Sequence, residues 1–134
     1  MTNNKKPVVV SVEDEEGIFE LLRLTIEPLP VEFYHAFNGF DAIELIMQVK
    51  PDLLIMDIGL PDMNGWDVLK TIVAKDIKPN KILVLTAYNA PTHRLIAHLQ
   101  DVDIYINKPF MPLELRKTVS ELLELPGTVP QTFN

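Results

Sequence analysis

The chain has 134 residues, of which 47% are hydrophobic and 23% charged, with a formal net charge of −7. That length is most simply one domain around a single core. The absence of cysteine excludes a disulfide framework and a thiolate metal site, and the acidic balance argues against this domain binding nucleic acid itself.

The opening residues Met1–Pro7 include Lys5 and Lys6, but the apolar run after them is short and is broken by Glu13-Asp14-Glu15-Glu16. That is no signal peptide. No stretch approaches the roughly 18 apolar residues of a membrane span. The expected location is cytoplasmic, with a disordered N-terminus over residues 1–6, one domain over 7–125, and a tail or linker over 126–134.

Val8-Val9-Val10-Ser11-Val12 is a β-branched run that predicts a buried strand. Acidic residues follow at once, and then Ile18, Leu21, Leu22, Thr25 and Ile26 recur at helical spacing. Pro28 and Pro30 end that helix. Residues 31–37 read as a second strand, and Asn38 is placed to cap a helix whose face is Ala42, Leu45, Ile46 and Val49. Lys50-Pro51 stops it.

In Asp52-Leu53-Leu54-Ile55-Met56-Asp57, four apolar residues run without a break and end on a carboxylate. Such a run predicts a strand buried on both faces, as in a parallel sheet. Alone, Asp57 is most simply a turn former or helix cap. The loop through Gly65 leads to a third helix with Val68, Leu69, Ile72 and Val73 inward; Trp66 reads as packing at its start. Residues 81–86 form a fourth apolar run ending on Thr86. Pro91 suits the first turn of a fourth helix with a thin apolar face, Leu95, Ile96 and Leu99. Ile104-Tyr105-Ile106-Asn107 is a short fifth strand followed by Lys108-Pro109-Phe110. Pro112 opens a last helix with Leu115, Val119, Leu122 and Leu123 inward. His35, His93 and His98 form no helical zinc pair, and read as surface or core residues.

Strands alternating with helices predict an α/β domain with a parallel sheet, covered on both faces by right-handed crossovers. Parallel strands bring Glu13, Asp14, Asp57, Thr86 and Lys108 to one edge, the carboxyl edge where open α/β sheets place ligands. Three crowded carboxylates resist ionisation unless a cation sits among them. Oxygen ligands without Cys or His point to Mg²⁺. A lysine and a hydroxyl beside a metal cradle phosphoryl oxygens, and a carboxylate can itself accept a phosphoryl group.

Four motifs carry a resemblance: Val12-Glu13-Asp14-Glu15, Pro51 through Gly65, Leu85-Thr86-Ala87, and Tyr105 through Phe110. Their order and spacing resemble the receiver domain of two-component response regulators, over about residues 7–125. The resemblance implies a five-stranded parallel sheet of order 2-1-3-4-5 with a flavodoxin-like, doubly wound topology. It implies that Asp57 is the phosphoacceptor, fed by a sensor histidine kinase, a phosphotransfer protein or a small phosphodonor. Asp14, Asp57 and the backbone carbonyl of Gly59 would hold Mg²⁺. Glu13 stands where the family usually has aspartate and would reach a metal-bound water. Thr86 and Lys108 would hold the phosphoryl oxygens, with a cis peptide at Lys108-Pro109. Thr86 and Tyr105 would be the switch, changing a partner-binding surface made of the fourth helix, fifth strand and fifth helix. Gly59 and Tyr88 would set the phosphoryl lifetime.

The implied protein is a signalling switch that catalyses only its own phosphorylation and dephosphorylation, acts on an output partner or domain that the sequence does not name, and touches no membrane. The sequence after Glu114-Leu115 departs from the arginine pattern of the subgroup that dimerises through this face. A haloacid-dehalogenase-type hydrolase would need an aspartate where Gly59 stands. A flavin module would need hydroxyls where Glu13–Glu16 stand. A non-phosphorylated pseudo-receiver, serving as a protein interaction module, is the remaining alternative.

Overall fold

The computed structural model describes residues 5–87 and 91–127. In chain order the elements are β1 (Val8–Val12), α1 (Glu16–Ile26), β2 (Glu32–Ala36), α2 (Gly39–Val49), β3 (Leu53–Met56), α3 (Gly65–Ala74), β4 (Lys81–Thr86), α4 (Pro91–Leu99), β5 (Ile104–Asn107) and α5 (Pro112–Leu122). The strands form one sheet in the order β2-β1-β3-β4-β5, and every pairing is parallel. This is the doubly wound α/β topology expected from the sequence.

Strand alternation separates two apolar layers. Val10, Val12, Leu54, Met56, Ile82 and Val84 face α2 and α3, where Ala42, Ile46, Val68, Leu69 and Ile72 complete one cluster. The intervening residues Val9, Leu53, Ile55, Leu83 and Leu85 face α1 and α5, where Leu22, Ile26, Leu115 and Val119 complete the other. The central strands are therefore buried on both faces, which is why their sequences are continuous apolar runs rather than alternating ones. β2 is an edge strand and keeps exposed residues.

Helix ends follow local chemistry. Asn38 accepts a hydrogen bond from the Asp41 amide, and Asn64 from the Trp66 amide, each relieving an orphan donor of a first turn. Lys50 closes α2 in the left-handed region, its N–H bonded to Ile46 O. The expected helical faces are right in direction and too wide at their borders. Leu21 and Val73 lie exposed rather than inward. Among the described side chains of α4, Ile96 and Ala97 point inward, while Leu95 and Leu99 face outward, Leu99 at 71% exposure. No described helix is long and apolar enough to cross a membrane.

Candidate active site at the carboxyl edge of the sheet

Strand register assembles the site. Val12 pairs with Met56, so the next residues, Glu13 and Asp57, emerge side by side. The Asp57 amide still bonds Val12 O at 3.0 Å, and the Glu13 amide bonds Ala36 O at 3.1 Å. On the other side Thr86 pairs with Asn107, and the Lys108 amide donates to Thr86 O at 2.9 Å. Four strands thus deliver their terminal polar residues to one edge. The Lys108-Pro109 peptide is cis, and Phe110 beyond it is buried against the α1/α5 layer.

Carboxylate oxygens of Glu13, Asp14 and Asp57 lie within 4.8 Å of one another. Glu13 is 1% exposed and Asp57 7%, while Asp14 faces solvent. The Lys108 ammonium donates to Glu13 Oε1, and to Asp57 Oδ2 at 3.1 Å. Burial pushes the Glu13 carboxyl up; the Lys108 hydrogen bond opposes this, the Asp57 charge adds to it, and the net direction is upward. Burial alone would push the Lys108 ammonium down, but its bond to Glu13 and the charge of Asp57 outweigh it and hold the group above its ordinary value. Lys108 is therefore a cation at neutral pH.

Three carboxylates against one ammonium leave a formal excess of two negative charges. That deficit suits a divalent cation. Oxygens sharing one octahedral Mg²⁺ stand about 3–4 Å apart, and a cluster within 4.8 Å is consistent with a divalent ion among these carboxylates. The donor set is hard oxygen without sulfur or imidazole, which also fits Mg²⁺.

Loop geometry steadies Asp57. The Gly59 amide donates to Asp57 Oδ1 at 3.2 Å, Gly59 bridges Asn64, and the Gly65 amide donates to Ile58 O at 2.8 Å. A side chain at Gly65 would place its Cβ 2.7 Å from Ile58 Cα, so only glycine allows the loop to close against the residue after Asp57. Asp62 reaches from this loop to α2, accepting from the Gly39 and Phe40 amides at 2.8 and 2.9 Å. Although burial alone would raise its pKa, those amides together with its own and that of Met63 hold it below the ordinary value.

Thr86 is fully buried at the end of β4. Tyr105, partly buried on β5, pairs with Val84 and packs against the α2/α3 layer. Tyr88 lies outside the described residues.

Sequence reasoning missed the support behind Glu13. His35 Nε2 contacts the Glu13 carbonyl at 2.9 Å, and its Nδ1 meets Ser11 Oγ. A carbonyl only accepts, so Nε2 carries the proton and Nδ1 accepts from the serine. Phe19 and Phe37 pack on the ring at centroid distances of 4.2 and 4.5 Å. Burial lowers the His35 pKa, with the bond to Glu13 opposing, which keeps the ring neutral. The signal was available: counting parallel strands back from their ends pairs Ser11 with His35. A wider cleft of about 700 Å³ opens at the opposite end of the strands, around Val8, Asp52 and Lys81, away from these carboxylates.

The fold and site define a doubly wound α/β domain whose carboxyl edge carries a lysine-paired acidic pocket. Residues 9–120 match the model of the response regulator receiver domain, and the chain belongs to that family. It is 31% identical to the signal receiver domain of a protein assigned as a Luxo repressor from Vibrio parahaemolyticus, covering 89% of this chain and 91% of that one with a TM-score of 0.83. It is 25% identical to the receiver domain of an HD domain-containing protein from Pseudomonas fluorescens Pf-5, covering 92% and 91% with a TM-score of 0.83. Chemotaxis protein CheY4 of Vibrio cholerae is also 25% identical, covering 88% and 99% with a TM-score of 0.80. The acidic cluster beside Lys108 is consistent with the phosphoacceptor site of such domains.

Proposed function

We propose that the protein is a phosphorylation switch in which Asp57 accepts a phosphoryl group from a kinase phosphohistidine. The carrying observation is the contact of Lys108 with Asp57 at 3.1 Å inside the three-carboxylate cluster. Asp57 Oδ attacks phosphorus, the new O–P bond forms as the N–P bond breaks, and the imidazole leaves with the electron pair. Most of the catalysis in such a transfer is positioning and charge neutralisation.

Asp14, Asp57 and the Gly59 carbonyl would hold Mg²⁺, with Glu13 on a bound water. The ion supplies positive charge for the transferring phosphoryl oxygens. Lys108 stays protonated and takes its share of that charge. The amide of Gly59 keeps Asp57 oriented, and His35 fixes the backbone of Glu13. The Thr86 hydroxyl would take a phosphoryl oxygen, and Tyr105 would follow its movement, biasing the surface of α4, β5 and α5 toward an output partner. Gly59, lacking a side chain, leaves room for an attacking water, and Tyr88 shares control of the phosphoryl lifetime. The kinase or phosphotransfer partner, the cytoplasmic setting and the domain limits of 7–125 belong to the same reading.

The test is incubation with Mg²⁺ and a small acyl phosphate, read by intact mass. One acid-stable, base-labile phosphoryl adduct is expected, absent in Asp57→Asn and after chelation. An unmodified wild-type protein would instead make the domain a pseudo-receiver.

A further inference from the structure

Among the described side chains of helix α4, Ala97 is the one that is buried. A specific bond ties it to the loop beside the site. The indole N–H of Trp66, at the start of α3, donates to His93 Nδ1 on α4 at 3.0 Å. The rings lie nearly parallel, 23° apart, with centroids 6.2 Å from each other. Indole nitrogen is a donor only, so Nδ1 is the acceptor and His93 carries its proton on Nε2 in this arrangement. Trp66 is buried, and a buried donor without its partner loses far more than a solvated one.

The other end of the connection is short and stiff. Trp66 follows Gly65, whose amide holds Ile58 O and whose Cα permits no side chain against Ile58. Ile58 is bonded to Asp57. The path from the acceptor carboxylate to α4 is therefore Asp57, Ile58, Gly65, Trp66, His93, with two covalent steps and two hydrogen bonds. Residues 58–64 and His93 also line one cleft of about 500 Å³, so loop movement has room on the α4 side.

We propose that the Trp66–His93 bond is a latch that holds α4 and couples its position to the state of Asp57 through the β3–α3 loop. The coupling half rests on Asp57 as phosphoacceptor; the holding half does not. Losing one hydrogen bond changes an opening equilibrium by roughly threefold to tenfold.

Hydrogen–deuterium exchange of the full chain tests it in His93→Leu, which removes the acceptor, and His93→Gln, whose side-chain carbonyl can still accept. In His93→Leu the α4 amides should exchange roughly threefold to tenfold faster, with α1 and α2 amides unchanged as the control for folding. His93→Gln should stay near wild type. On treatment with Mg²⁺ and acyl phosphate, wild-type α4 exchange and Trp66 emission should both change, and His93→Leu should lose most of that change. Unaltered α4 exchange in His93→Leu overturns the latch. An equal phosphorylation response in wild type and His93→Leu, with the adduct present by mass, overturns the coupling. Absence of any adduct defeats the reading of Asp57 and the coupling together, while the exchange comparison still judges the hold on α4.

Discussion

Helix α3 buries Gly65, Trp66, Val68, Leu69 and Ile72, whereas α4 buries Ala97 among its described side chains and exposes Leu95 and Leu99. The two helices contribute to the same apolar layer and differ in how they are held. α3 and the loop before it adjoin Asp57, the proposed acceptor, and phosphoryl transfer needs atoms fixed to fractions of an ångström. α4 belongs to the surface proposed to change, and elements that move are drawn from the weakly packed end of a fold. The proposed chemistry and the proposed output thus fall on a closely packed side and on one whose described side chains are mostly exposed.

The largest expected effect breaks that contrast directly. Leu69→Ala or Ile72→Ala should destabilise the protein by about 2–5 kcal/mol through a cavity in a close-packed layer. Leu99→Ala should stay within about 0.5 kcal/mol, since it removes an exposed side chain. Urea unfolding measures both; equal losses would erase the distinction.

A smaller effect concerns the loop anchor. Asp62→Ala should cost about 1 kcal/mol at pH 7 by freeing two first-turn amides of α2. Its folded pKa lies below the ordinary carboxylate value, so its contribution is present above that value and lost as pH falls through the folded pKa. Wild type and Asp62→Ala should therefore converge in stability as carboxylates protonate, and parallel curves down to the lowest pH would remove Asp62 from its clamp.

Glu13 lies buried at the site itself. Its folded pKa is raised, so folding favours the protonated form, and the penalty appears as pH rises through that folded value. Without metal, Glu13→Gln should raise Tm at neutral pH. With Mg²⁺, wild type should regain stability by ligand linkage more than the variant does. A Tm lowered without metal would mean that the Lys108 pair outweighs the burial of Glu13.

Much of this was legible before any coordinates. Val8–Val12, Leu53–Met56 and Lys81–Thr86 are apolar runs because both faces of their strands are covered, and their ends mark Glu13, Asp57 and Thr86. Parallel pairing then places Lys108 on the same edge. Helix faces were less sharp: Leu21 and Val73 sit at the margin of an apolar arc, where helical spacing alone cannot say in or out. The reach of Asp62 to Gly39 and of Trp66 to His93 spans residues 23 and 27 apart in sequence. Neither contact leaves a periodic trace, because both depend on how loops approach in space.

The most direct test of the central claim is intact mass after treatment with Mg²⁺ and acyl phosphate, run beside Asp57→Asn and a chelated control. A single phosphoryl adduct is expected in wild type alone. An adduct that persists in Asp57→Asn, or a wild-type protein that never gains one, would contradict it.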